Sequence, residues 1–470
     1  MITSGEAPEV GQATFRQVLK HWTGLDRAIM FTVTGRFWAA MAGLITILLI
    51  ARYLTPNEQG YYYTFTSIVA LQVVFELGFS FVILQLAAHE RAQLILSPDG
   101  SVEGDAVAHS RLASILQKAV RWYFVAGLLM TLVLLPVGFH FFRSHQNAGT
   151  VVGWIIPWCL LVIASMLAFQ IDPVFSFLEG CGFIVDVARR RLYQAVLGSV
   201  LAWVALIAHH GLYAPAMIIL GQVLVGVVYL LFSNLSRLLK NLYFYPVGHN
   251  YVGWRNEIWP FQWKIAVSWI CGYFIYQLVN PILFAYQGPV QAGRMGMSLS
   301  IAGAIGSVAM AWMSTKSSPF GRLVARQEYA KLDKIFFRTF WQSTILYGIG
   351  ALTFLLALVY CGHSYPKLAM RVVPPWAFAL LLLTMCATHI ASCQALYLRA
   401  HKREPFLVIT VIGAVLGGCM TVIVAKLYGV NAVIVGNFVL CLVYGIPYGT
   451  YIFITKRREW HNAPTPSSAA

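Results

Sequence analysis

Along most of the chain, long apolar runs alternate with short polar breaks, and each run matches the roughly 20 residues a helix needs to cross hydrocarbon. The pattern predicts twelve spans, at 28–51, 61–87, 119–142, 151–171, 192–209, 212–233, 264–287, 291–315, 337–361, 375–398, 405–427 and 431–454. Residues 1–27 carry charges at Glu6, Glu9, Arg16, Lys20, Asp26 and Arg27 around no apolar core. They read as a cytoplasmic leader rather than a cleavable signal, with the first span as its own insertion signal. The longest central break, 234–263, sets Arg237, Lys240, Arg255 and Glu257 among aromatics such as Tyr243 and Trp254. That mixture predicts a cytoplasmic interfacial linker between a first lobe, 28–233, and a second, 264–455, followed by a cytoplasmic tail, 456–470. The expected fold is an all-α polytopic membrane protein with two six-helix lobes around a central cavity.

Composition agrees: of 470 residues, 59% are hydrophobic and 11% charged, with a mean hydropathy of +0.69. The formal charge of +16 does not indicate nucleic acid, because the cations are dispersed through short loops rather than gathered on one face. With both termini cytoplasmic, only Arg52, Arg143, Arg294, Lys367, Arg371 and Lys426 fall at the outer ends of spans. Every other Lys and Arg except Arg36 lies on the cytoplasmic side, as the positive-inside rule requires. The expected location is therefore a membrane crossed many times. Eight cysteines include no CxxC pair and mostly lie in apolar runs, which predicts neither disulfides nor a metal site. No P-loop is present, and the outer loops are too short for the chemistry of a membrane glycan polymerase or glycosyltransferase.

Around the first outer turn the sequence reads Pro56-x-x-x-Gly60 with Ser67 further on, and around the turn between spans 7 and 8 Pro289-x-x-x-Gly293 with Ser300. The identical spacing predicts two lobes related by an axis along the membrane normal, as in some transporters. Ionisable groups within spans mark polar routes or structural pairs. Arg36 in span 1 and Glu76 in span 2 lie at similar depths, so they are candidates either for an internal ion pair or for a cavity lining, with Glu76 a protonation candidate. Arg52 ends span 1 at the outer edge. Arg294, among small residues at the start of span 8, can clamp a phosphate or reach lipid headgroups. Gln277 and Asn280-Pro281 in span 7 predict a kink facing a wet cavity. The triple Arg189-Arg190-Arg191 reads as a topology anchor on anionic lipid.

The runs Ala51–Tyr62, Phe75-Glu-Leu-Gly-Phe79, Phe177-Leu-Glu-Gly-Cys-Gly182, Pro260-Phe-Gln-Trp-Lys264 and Ala292-Gly-Arg-Met-Gly-Met297 resemble bacterial polysaccharide flippases of the O-antigen type. The resemblance implies the multidrug/oligosaccharidyl-lipid/polysaccharide exporter superfamily, two lobes working by alternating access, and movement of a polyprenyl-pyrophosphate-linked oligosaccharide to the outer leaflet of a bacterial inner membrane. Fourteen spans are common there, against twelve here. It implies that Arg36, Arg52 and Arg294 occupy regions comparable to the cavity arginines of related lipid II flippases. It further implies no bound cofactor, coupling to H+ or Na+, a lipid-linked glycan and membrane lipids as ligands, and a polysaccharide polymerase and glycosyltransferases as partners. The competing reading is a multidrug or cation antiporter of the same fold, for which acidic cavity residues are expected.

Overall fold

The structure is a computed structural model and describes residues 27–97, 100–146, 152–401 and 405–461. Among the described residues, eleven helices are long and apolar enough to cross a membrane, and a bent pair makes twelve. The chain is thus a polytopic all-α membrane protein. In order, α1 is Arg27–Tyr53, α2 Pro56–Val69, α3 Gln72–Glu76 and α4 Phe79–Arg91, followed by a hairpin of β1 (Leu94–Leu96) and β2 (Val102–Gly104). Then come α5 Ala106–Ser144, α6 Ile155–Gly180, α7 Ile184–Ile207, α8 Ala214–Phe232 and α9 Leu235–Tyr243. The second half holds α10 Trp259–Tyr276, α11 Val279–Gln287, α12 Pro289–Ser314, α13 Ser317–Ala325 and α14 Tyr329–Ser364. It ends with α15 Pro366–Ala369, α16 Pro375–Arg399, α17 Leu407–Tyr428, α18 Val430–Leu440 and α19 Ile446–His461.

Helices of the first half pack chiefly on one another (α1 on α7, α7 on α8, α5 on α6), as do those of the second, where α12 meets α14 and α16, and α17 meets α10 and α18. Large apolar side chains such as Phe124, Leu132, Ile349 and Leu356 point outward and are exposed, as lipid-facing surfaces require. Two apolar cores result. The larger runs through both halves and crosses between them among Tyr61, Phe142, Trp158 and Phe284. The smaller, around Phe320, Phe336, Tyr397 and Phe453, belongs to the second half alone.

Two sequence expectations change. Span 2 is not one helix over 61–87: it starts at Pro56 and breaks at Leu77-Gly78, where α2–α3 and α4 diverge by 44°. Both residues at the break are left-handed, with φ 51° and 66°, which ends α3 at Glu76. Span 7 carries the interruption expected of Pro281, with α10 and α11 meeting at Gln277-Leu278 inside a single span, Gln262–Gln287. The last helix runs unbroken from Ile446 to His461, through the boundary expected between second lobe and tail; residues 462–470 and the leader to residue 26 lie outside the described residues.

The central linker is built against the first half. Leu235, Leu238 and Leu242 form the buried face of α9. Beyond it the chain is strapped to α5: Gln117 donates to the carbonyls of Tyr243 and Tyr245, Ser114 accepts from the Val252 amide, and Arg111 bridges Glu90 and Glu257 at 2.9 and 2.5 Å.

Candidate functional site

The break in span 2 creates a polar cavity. Because α3 stops at Glu76 and α4 restarts at Phe79, the Glu76 carboxylate turns towards Ser80, whose hydroxyl donates to it at 2.5 Å. Tyr123 on α5 lies 2.7 Å from the Ser80 oxygen and 3.4 Å from the carboxylate. Gln72, Ser165, Asp172 and Gln222 complete a cavity of about 110 Å³ inside the first lobe. Pro173, within α6, has no amide to give the carbonyl of Phe169, which also lines the cavity. Asp172 pairs with Arg190 at 3.0 Å. That guanidinium is only 3% exposed and lies 3.5 Å from the centre of the Phe175 ring. The middle arginine of the triplet thus turns inward, while Arg189 pairs with Asp186 and Arg191 with Glu179. A membrane-anchor reading therefore does not describe Arg190.

The volume fits a cation and its water, not a large organic molecule. A water needs about 30 Å³ of liquid volume, whereas drug-sized ligands occupy roughly 300–1,000 Å³. Of the two carboxylates, Asp172 already has a built-in counter-charge and Glu76 has only hydroxyl partners.

Arg36 is elsewhere. It does not meet Glu76: it is exposed and reaches from α1 to α12, donating to the Ser314 hydroxyl at 2.7 Å and weakly to the Ala311 carbonyl at 3.5 Å. The contact joins the two halves at the C-terminal end of α12. Depth along consecutive spans suggested the pair with Glu76, but the break re-aims Glu76 into its own lobe.

The two repeated turns meet at the opposite end, where α12 begins. Thr55 caps α2 reciprocally with Glu58, Pro56 opens the helix, and Pro289 opens α12 in the same way. These helices cross so tightly that a Cβ on Gly60 would fall 2.0 Å from the Pro289 carbonyl oxygen, and one on Gly293 2.9 Å from the Gly60 nitrogen. Gln59 donates to the carbonyls of Gly293 and Arg371 at 2.8 and 3.0 Å, and Arg371 donates across the seam to Leu54 at 2.5 Å. Deeper, Asn280 donates to Ser67 at 3.1 Å, and Ser67 lies 3.4 Å from Gln277. Asn280 is buried at this lobe contact rather than facing a wet cavity, whereas Gln277 is exposed. Arg294 donates to the Met370 carbonyl at 2.9 Å, and exposed Arg52 lies 5.6 Å from the Tyr53 ring. Among the described residues no carboxylate pairs with Arg36, Arg52 or Arg294.

Sequence reading missed Ser80, Tyr123 and Gln222, and it noted Asp172 and Arg190 without placing them in a site. Asp172-Pro173 near a span end and Gln222 within a span were the available signals. Gln59 lay inside the repeated turn, but spacing alone did not say that the two turns touch.

No family model and no curated protein matches the sequence. Solved structures do. A multidrug-resistance MATE-family transporter of the MOP superfamily, in an inward-facing conformation, is 16% identical with a TM-score of 0.54, over 90% of this chain and 100% of that one. A MOP-superfamily transporter from Pyrococcus furiosus is 15% identical with a TM-score of 0.53, over 91% and 95%. The lipid II flippase MurJ, in an inward closed conformation, is 12% identical with a TM-score of 0.55, over 92% and 90%. At these identities the likeness is one of architecture, and the chain has the fold of the MOP-superfamily transporters.

Proposed function

We propose that this protein is a flippase that carries a polyprenyl-pyrophosphate-linked oligosaccharide from the cytoplasmic to the outer leaflet of a bacterial inner membrane, with both termini cytoplasmic. The observation that carries this reading is the pair of cations, Arg36 and Arg294, that lie on helices meeting between the lobes with only neutral oxygen partners. A pyrophosphate offers the missing negative charge, and a guanidinium can bind it through two parallel hydrogen bonds. The MurJ likeness supports a lipid-linked substrate only as an analogy of fold.

Transport on this reading is alternating access. Opening outward separates Gly60 from Gly293 and Gln59 from Arg371, and opening inward separates Arg36 from Ser314. An anion bound at Arg36 competes directly with the Ser314 contact, so substrate binding loosens the inner end. The Glu76 cavity takes the coupling cation, H+ or Na+, and stays separate from the glycan route. Binding must remain modest in both states, or release becomes the slow step.

A multidrug or cation antiporter is the second reading, favoured by the carboxylates of Glu76 and Asp172. Their cavity is small for an organic cation, and Arg190 already neutralises one of them.

The test is gene deletion and complementation, scoring surface glycan and lipid-linked intermediate retained on the inner leaflet. The flippase reading expects lost glycan and accumulated intermediate, restored by the wild-type gene. Arg36→Ala and Arg294→Ala should insert normally and restore poorly. Normal glycan in the null strain, with no redundant exporter, would overturn the reading; drug sensitivity with normal glycan would select the antiporter.

A further inference from the structure

A second cavity, at the lobe seam, is apolar. It measures about 460 Å³ and is lined by Leu77 of the span 2 break and by Trp259, Trp263, Ala266, Val267 and Ile270 on the first turns of α10. One wall is therefore first lobe and the other second lobe. Its floor is close-packed: a Cβ on Gly78 would come 2.4 Å from the Ile265 side chain. The tryptophans remain partly open, with Trp259 48% and Trp263 42% exposed. At the rim, exposed Lys264 sets its ammonium 5.8 Å from the centre of the Trp263 ring, and no carboxylate among the described residues pairs with it.

We propose that this groove seats the hydrocarbon chain of an anionic polyprenyl lipid, with Lys264 beside its phosphate. The inference rests on the flippase reading and assigns a place for the lipid tail that the head-group arginines do not.

The argument is geometric. A lipid whose head crosses between two lobes must keep its tail in the bilayer, so the tail has to pass through a seam between the lobes. At the inner end of the α1–α12 seam, Arg36 bonds to Ser314. The α3–α10 seam has an open apolar groove instead, on the cytoplasmic turns of α10, at the leaflet where such a substrate starts. Its volume lies within the range of lipid- and drug-sized sites. An unpaired ammonium beside apolar aromatic walls matches an anionic amphiphile and not a neutral one. Leu77, in the groove wall, directly follows Glu76, in the polar cavity. A tail held against Leu77 therefore bears on the same left-handed break that aims the Glu76 carboxylate.

The experiment uses purified full-length protein in phosphatidylethanolamine–phosphatidylglycerol vesicles, irradiated with a diazirine-tagged polyprenyl phosphate and mapped by peptide mass spectrometry. Label is expected on peptides containing Leu77 and residues 259–270. Untagged polyprenyl phosphate should displace it, and added phosphatidylglycerol should not. Val267→Trp, which fills the groove, and Trp263→Ala, which removes a wall, should each lower labelling about tenfold. Lys264→Gln should erase the advantage of polyprenyl phosphate over uncharged polyprenol as competitor. Equal displacement by phosphatidylglycerol identifies an ordinary lipid crease and overturns the proposal, as does labelling confined to the α1–α12 seam or to neither; the flippase reading survives those results. Specific labelling of a protein whose deletion leaves surface glycan normal would instead sustain the groove and reject the flippase reading.

Discussion

Glu76 and Asp172 share one cavity but not one role. Asp172 is balanced by Arg190, whereas Glu76 has no counter-charge among the described residues, and the proposed coupling role therefore falls to Glu76. Glu76→Gln keeps a hydrogen-bonding group beside Ser80 and removes the exchangeable charge. Transport by this variant in proteoliposomes is expected to lose its dependence on a pH or Na+ gradient while substrate binding persists; an unchanged gradient dependence would remove Glu76 from coupling. Asp172→Asn acts differently, because it leaves the Arg190 guanidinium buried without its counter-charge. Exposure of the Asp172 side chain, at 60%, screens the pair, so the expected loss is about 1–2 kcal/mol rather than the full value of a buried ion pair. Thermal unfolding in detergent measures it, and adding Arg190→Met should recover part of the loss. Equal stability of Asp172→Asn and wild type would show the pair to be dispensable.

At the scale of elements, the pattern of apolar runs gave the helices, and it could do so because lipid demands about the same length of every span. It did not give the breaks. Leu77 is an ordinary apolar residue, and its left-handed backbone lies beside Gly78, which packs on Ile265, a contact far away in sequence. The Arg36–Glu76 pairing failed for that reason, since depth along a straight helix does not survive a bend. The repeat, by contrast, was legible as spacing, and the structure supplies its physical meaning: the glycines allow α2 and α12 to touch. Gly60→Ala and Gly293→Ala should therefore force the outer seam apart at a cost of about 1–3 kcal/mol. An impermeant maleimide should then label Ser67→Cys faster than in the parent. Gly303→Ala, in the same α12 but with open space around its Cβ, is the control and should be neutral or stabilising by about 0.5–1 kcal/mol. Equal labelling of all three variants would separate the glycines from seam closure.

The linker strap is expected to respond to acid. Hydrogen bonding from Arg111 holds the Glu257 carboxyl below its ordinary range, with the Gly253 amide adding to the effect. A carboxyl depressed in the folded state contributes stability above its unfolded pKa and loses it as pH falls through the lower folded value. Hydrogen exchange across residues 244–258 is expected to quicken below the normal carboxylate range, and Glu257→Gln should show the faster exchange already at neutral pH. Protection that is independent of both would assign the strap to its backbone contacts.

At the scale of the whole molecule, the lobes are joined unequally. The outer half shares an apolar core in which Phe284 of the second lobe, 1% exposed, lies 4.9 Å from Tyr61 and 5.6 Å from Phe142 of the first, measured between ring centres. The contact described for Arg36 at the other end is a hydrogen bond to the Ser314 hydroxyl with a weaker one to the Ala311 carbonyl. Phe284→Ala removes the aromatic plug and should cost about 3 kcal/mol of outer closure. Distance measurements between spin labels on the outer ends of α2 and α12 would detect the shift as a broadened, longer population; an unchanged distribution would deny the plug that role. On the flippase proposal, each outward excursion would have to pull Phe284 from its nest and expose ring surface to water, which would make the outward form the brief one. If a proton gradient drives the cycle, a brief outward dwell would limit how many stray protons slip through, and the aromatic plug would then protect the gradient on which transport draws.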